Sequence, residues 1–364
     1  MNLREGRIGR QETAAVALIA CTICGIFSMN TENFYRQGNS SYISSALSAG
    51  LSLLAFFLIA EAMRRKHCRN LAALYRMAYG RILAIPLSFV TLLMLIYSAI
   101  MPLDRLLIIL CRYVFIETTA QQVMLYMTAC VVLLAWMGLE IIARTAKILV
   151  GVIVLAFFVA FLIAIPAYEV YRLYPLLGNG LGSTFLLGLT GIARFFPGVL
   201  ALLICGVGVQ GLNSAATGAN AGILGGGLLT VGSQLCLGMT YPASLLATMH
   251  APMYRLTMSV KTGSSYLRTD KLLLFFWMMA GLLVGGFYAY TGALLYAGTA
   301  YMRDIRPAAA AVGLSIGALT LIGYLQFAWF ESIMLFLHVY AWALLLLPPM
   351  MAAMIVSIKP EHAE

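Results

Sequence analysis

The chain has 364 residues, 62% hydrophobic and only 10% charged, with a formal net charge of +10 and a mean hydropathy of +0.93. A soluble domain carries about 25% charged residues, so a water-soluble globule is excluded. No alternating-strand pattern supports an outer-membrane barrel, which leaves an all-α, polytopic membrane protein.

The amino-terminal stretch "MNLREGRIGRQE" is polar, and no small-residue cleavage site follows it, so no cleavable signal is expected. Ten apolar spans are predicted near residues 12–33, 42–63, 83–113, 120–137, 141–166, 184–209, 217–240, 271–297, 307–324 and 332–357. Span one contains "CTICGIFSMN" (Cys21–Asn30), in which Thr22, Gly25, Ser28 and Asn30 give polar and flexible character near mid-membrane. The Cys21–Cys24 spacing lies within an apolar helix and reads as packing rather than redox chemistry. Glu32 falls near the outer end of this span.

The linker after span two, "RRKHCRNLAALYRMAYGR", is strongly basic. It is therefore expected in the cytoplasm together with both termini. Leu71, Leu74, Met77 and Ala78 share one face of it, as in a helix lying along the membrane surface. Span three is too long to cross perpendicular to the bilayer. It carries Tyr97, Met101, Pro102, Asp104 and Arg105, with Asp104 ten residues before the expected outer end. Span five opens on "GLEIIARTAK", where Glu140 and Arg144 are spaced i,i+4 and form a structural ion pair at the interface. Two long outer loops, 167–183 and 241–270, are candidate lids or partner surfaces.

Span six contains "GLTGIARFFPGVL" (Gly188–Leu200). Arg194 lies about 15 Å into it at 1.5 Å per residue. A mid-membrane arginine costs about 2.5–3.5 kcal/mol on insertion scales, so it needs neutralisation, either by Asp104 or by a ligand carboxylate. Pro197 removes an amide donor and frees the carbonyl of Ala193, while Gly191 and Gly198 weaken the helix on either side. Backbone groups released in this way must line a protein interior or a wet cavity.

Ten spans divide as five plus five, and an odd half-length inverts the second half relative to the first. The expected fold is one polytopic domain over residues 1–364, built from inverted repeats at about 12–166 and 184–357. Helices one and six are interrupted at a midplane substrate site, as in many secondary transporters. A small polar solute is expected there between spans one, three, six and eight. The candidate ligand-binding residues are Thr22, Cys24, Gly25 and Ile26, then Tyr97, Met101 and Asp104, then Arg194, Phe195, Phe196, Pro197 and Gly198, and Trp277. Free amides near Cys24–Ile26 and Phe195–Gly198 are expected to hold its charged ends. His338 in span ten reads as a hydrogen-bonded packing residue. Catalytic motifs such as HExxH, GxSxG and GxxxxGK[ST] are missing, and His67, His250, His338 and His362 are dispersed. No enzyme activity, metal or cofactor is expected.

Several stretches resemble the spore germination permease family, the B subunits of GerA-type germinant receptors. They are "GLEIIARTAKIL" (138–149), "IET" (116–118), "TYP" (240–242) and "LRTDKLLLFFWMMAGLL" (267–283). Where that family often has a Phe-Pro-Phe-Gly-Glu-like break in span six, this chain has "RFFPGV", with Val199 at the glutamate position and Arg194 extra. The proline common in the family's span one is missing. The resemblance implies a place in the amino acid–polyamine–organocation superfamily and a nutrient-sensing role in the spore inner membrane. It also implies two partners, an A-type receptor subunit and a C-type lipoprotein. A working amino-acid or amine permease is the alternative on the same fold.

Overall fold

The computed structural model describes residues 8–27, 38–178, 180–208, 212–249, 251–259, 269–302 and 304–358. Ser28, Asn30, Glu32, His250 and His362 lie outside them. Ten helices among the described residues are long and apolar enough to cross a membrane. Span one is Arg10–Phe27, span two Ser41–Arg65, span three Leu71–Tyr113, span four Ala120–Met137 and span five Leu139–Ala164. Span six is two helices, Leu181–Thr190 and Ile192–Ile204. Spans seven to ten are Leu212–Thr240, Thr269–Ala300, Arg306–Tyr324 and Ala328–Ile358.

The packing of these helices repeats between the halves. Span one lies on span seven, and span six lies correspondingly on span two. Span one touches span five as span six touches span ten, and span three touches span ten as span eight touches span five. The pairs three–eight and four–nine map onto themselves. This correspondence is what a five-plus-five inverted repeat of the LeuT type produces.

Span three starts twelve residues earlier than the sequence suggests, because the basic linker is itself helical. The side chain of Asn70 caps it, its Oδ1 accepting from the Ala73 amide at 2.8 Å. The chain then kinks at Gly80 (φ 73°, ψ 178°), a conformation that L residues avoid. Before the kink, Leu71, Leu74, Tyr75 and Ala78 are buried and Met77 is exposed. The apolar face is thus rotated slightly from the expected one, with Tyr75 in place of Met77. Tyr75 shares a hydrogen bond with Thr91 at 3.0 Å, and Tyr79 donates to the Pro348 carbonyl of span ten at 2.8 Å.

Spans four and five meet at Gly138 (φ 91°, ψ 177°). A Cβ there would meet nothing within 4 Å, so the constraint is purely conformational. Gly138→Ala is expected to cost about 1–3 kcal/mol, the range for a side chain forced into that backbone region. Thermal unfolding of the purified variant measures it. The Glu140–Arg144 ion pair forms just after this corner. Both side chains are solvent-accessible, and such pairs contribute little, about 0–1 kcal/mol.

Residues 167–178, in the connection between spans five and six, are clamped rather than loose. The Glu169 amide donates to the Met239 carbonyl at 2.9 Å, Arg172 pairs with Glu169 and donates to the Thr240 carbonyl, and Asn39 reaches the Tyr174 carbonyl at 2.8 Å. The 241–270 loop carries two short helices, Ala243–Leu246 and Pro252–Ser259.

Candidate functional site

Span six carries the break. Its first helix ends at Thr190 and its second begins at Ile192, with Gly191 between. The Arg194 amide bonds to the Gly191 carbonyl at 3.0 Å, three residues back, so the ladder tightens there instead of opening at Pro197. Span two explains the position. A Cβ on Gly188 would sit 2.4 Å from Leu47 Cδ2, and one on Gly191 would sit 2.1 Å from Ser48 Oγ. Only glycine allows this approach. Ser48 in turn donates to the Gly188 carbonyl at 2.7 Å, which satisfies an acceptor exposed at the break.

Immediately after the break a cavity is lined by Cys24 of span one and by Tyr97, Ser98 and Met101 of span three. Thr190, Ala193 and Arg194 of span six and His338 of span ten complete its wall. Four of the sequence-derived candidates therefore meet: Cys24, Tyr97, Met101 and Arg194. Arg194 is 7% exposed. Tyr97 is its electrostatic neighbour, and among the described residues its guanidinium has neither a hydrogen-bond acceptor nor a carboxylate partner. A buried cation without a counter-charge is costly.

The expected Arg194–Asp104 pair does not form. Asp104 has Arg105 and Tyr324 as its charged and polar neighbours, and no ion pair links it to Arg194. The depth count fails on span six: it begins at Leu181, three residues before the expected start, and is broken at Gly191, so Arg194 lies deeper than the ten residues that matched it to Asp104, while span three ends at Tyr113 as expected. The residue level with Arg194 is Tyr97, seven positions earlier.

Other candidates belong to the packed interior. Span one is helical and buried through Thr22, Cys24, Gly25, Ile26 and Phe27, so the amides of Cys24–Ile26 are engaged in the helix ladder and are not free for a ligand. Gly25 allows close approach to span seven: a Cβ there would lie 2.5 Å from Thr230 Oγ1. The Thr22 hydroxyl is buried without a hydrogen bond. Phe195, Phe196, Pro197 and Gly198 lie inside the helix Ile192–Ile204 and are buried, with Gly198 against Ala20 and Cys21. They lie within one continuous helix rather than at a break. Trp277 is fully buried, 5.8 Å from Phe27 and 5.4 Å from Phe157 between ring centroids, and does not reach the cavity. Span ten, through His338, takes the place expected of span eight.

Sequence reasoning missed Ser98, Thr190, Ala193 and His338 as lining residues. His338 carried a usable signal, since an ionisable residue within a membrane span is a functional candidate by default. Ser98 and Thr190 carried none, because isolated hydroxyls are common in membrane helices. Both donate to helix carbonyls, Ser98 to Met94 at 2.8 Å and Thr190 to Leu187 at 3.3 Å, so each keeps its lone pairs as acceptors. The Cys24 thiol contacts the Tyr288 hydroxyl at 3.4 Å and ties spans one and eight together. The cavity volume open to the centre of a water-sized sphere is about 20 Å³, room for about one water molecule. A guest larger than about one water requires the lining side chains or helices to move apart.

No curated protein sequence matches this chain. Solved structures do. Mhp1, a nucleobase-cation-symport-1 family transporter in a closed conformation with bromovinylhydantoin bound, aligns with a TM-score of 0.68 at 13% identity, over 92% of this chain and 75% of that one. A Na+-coupled sialic acid symporter in a substrate-bound, outward-open state aligns at 0.69 and 10% identity, over 94% and 79%. An Eremococcus coleocola manganese transporter in complex with an aromatic bis-isothiourea substituted compound aligns at 0.60 and 14%, over 93% and 76%. At these identities the likeness is one of fold. A family model described as spore germination protein matches residues 13–322, and the chain, a permease-like integral membrane protein with a transporter's fold, belongs to that family.

Proposed function

We propose that this protein is the membrane subunit of a spore germinant receptor and that a small carboxylate-bearing nutrient, an amino acid, occupies the cavity at Arg194. The observation that carries this reading is a buried guanidinium facing a cavity with no counter-charge of its own. A ligand carboxylate supplies that charge through a bidentate, charge-assisted pair. The acceptors nearby suit the other end of a zwitterion: the Ser98 and Thr190 oxygens, and the Ala193 carbonyl that Pro197 leaves without its helix donor. Because the site holds about one water, binding favours a more open arrangement of the helices, and the ligand shifts the population between the two. An A-type subunit and a C-type lipoprotein would read that shift in the spore inner membrane. The basic 64–81 linker and both termini would lie on the cytoplasmic side.

A working amino-acid permease is the second reading, supported by the likeness to transporters. One set of measurements separates them. Carboxylate-bearing amino acids should raise the melting temperature of the purified protein in a concentration-dependent way, whereas the corresponding amines without a carboxylate should not. Proteoliposomes should show no saturable uptake of the same ligands. Uptake would replace sensing with transport. Stabilisation by the amines alone would remove the Arg194 site.

A further inference from the structure

A second cluster of cations lies at the other end of span three. Arg64 and Arg65 both pair with Glu61 at 2.8 Å, which leaves the trio a net charge of +1. Arg76 and Arg81 have no such partner among the described residues. Their guanidinium carbons instead sit 5.0 and 4.9 Å from the centroid of one ring, that of Tyr301 at the end of span eight. In a continuous helix, residues five apart point about 140° away from each other. The positive-φ kink at Gly80 removes that divergence and brings both charges to the same side chain. Two like charges gathered on one aromatic ring repel each other, and stacking on the ring offsets only part of that cost. A multivalent anion placed between them relieves it.

We propose that Arg76, Arg81 and Tyr301 form a binding site for the phosphate of an anionic phospholipid headgroup. Guanidinium forks match phosphate oxygens bidentately, and basic clusters at the ends of membrane helices attract anionic lipid. The surface beyond the cations selects a lipid over an acidic protein segment. Ile82 is 84% exposed and Leu83 57% exposed, immediately after Arg81 on the membrane-crossing side of the kink. An acyl chain attached to the bound phosphate lies along these side chains, and a soluble acidic segment gains nothing from them. The kink therefore serves to assemble a headgroup site at the membrane surface, away from the Arg194 cavity.

The test is native mass spectrometry of the purified full chain, titrated with phosphatidylglycerol, with phosphatidylcholine or with inorganic phosphate. The wild type should bind phosphatidylglycerol in preference to phosphatidylcholine. Arg81 is exposed, so Arg81→Gln should keep the fold, checked by monodisperse elution, while losing affinity for the anionic lipid roughly fivefold. Arg76→Gln with Arg81→Gln should lose roughly 25-fold if the two contributions add. Arg64→Gln with Arg65→Gln should stay within about twofold, because those cations share Glu61 and neither sits on the Tyr301 ring. Equal affinity of wild type and Arg81→Gln overturns the site. So does an equal loss in the Arg64/Arg65 variant, which would indicate diffuse surface charge. Competition by inorganic phosphate at concentrations equal to the lipid would assign a free-anion site and overturn the lipid assignment.

Discussion

Arg194→Leu is expected to abolish ligand binding without weakening the ligand-free protein. Truncating one partner of a buried, hydrogen-bonded charge pair costs about 2–5 kcal/mol of binding, a loss of roughly 30-fold to several thousand-fold. The opposite sign is expected for stability. The guanidinium is buried with no counter-charge, so exchanging it for leucine removes a desolvation cost and fills the space with an apolar side chain. A purely structural arginine behaves differently: its removal lowers the melting temperature and leaves binding unchanged. Arg194→Lys keeps the charge but loses the bidentate fork, and its affinity should fall between the two. Asp104→Asn should leave ligand affinity within about twofold, since Asp104 does not line the Arg194 cavity and shares no partner with Arg194. Thermal shift with and without a carboxylate ligand reads all four proteins. A melting temperature that drops for Arg194→Leu while its ligand shift persists would end the ligand-site reading.

The second large effect is expected where span one meets span seven. A Cβ on Gly222 would fall 2.2 Å from Ala17 Cβ, 2.8 Å from the Leu18 nitrogen and 3.0 Å from the Ala14 carbonyl oxygen. Two of these neighbours are backbone, so no rotamer change relieves the clash and the helices must separate. Overpacking a well-packed interior costs about 1–3 kcal/mol and occasionally more. Gly222→Leu should reach or exceed the top of that range, a large part of a typical total stability of about 5–15 kcal/mol. Its measured consequence is loss of membrane-inserted protein.

Gly25 tests the same interface more gently, because its obstruction is the side chain of Thr230, with Oγ1 at 2.5 Å and Cγ2 at 2.8 Å. Gly25→Ala should lower the melting temperature, and adding Thr230→Ala, which removes both atoms, should restore it. If Gly25 instead contacted ligand, the double variant would regain stability but not binding.

Much of the architecture was legible in the sequence because the bilayer imposes it. Every span must be apolar over about twenty residues and must satisfy its own backbone hydrogen bonds. The apolar runs therefore predict ten helices, and the odd number per half predicts the inverted repeat. A mid-membrane arginine beside glycine and proline is costly enough to mark span six as the functional element before any contact is known. Depth and direction were not legible. Asp104 and Arg194 match when counted from expected helix ends, yet span six starts three residues earlier than expected and breaks at Gly191, which leaves Tyr97 rather than Asp104 beside the arginine. The break was expected at Pro197, where a backbone donor is missing, but the structure sets it at Gly191, where Ser48 of span two presses closest. His338 reaches the cavity from a span that periodicity does not single out. Local sequence thus determines which segments cross the membrane and which positions are costly there. Only the packing of one helix against another decides which costly groups share a cavity, because side-chain encounters between helices depend on tilt, rotation and close approach that no single segment encodes.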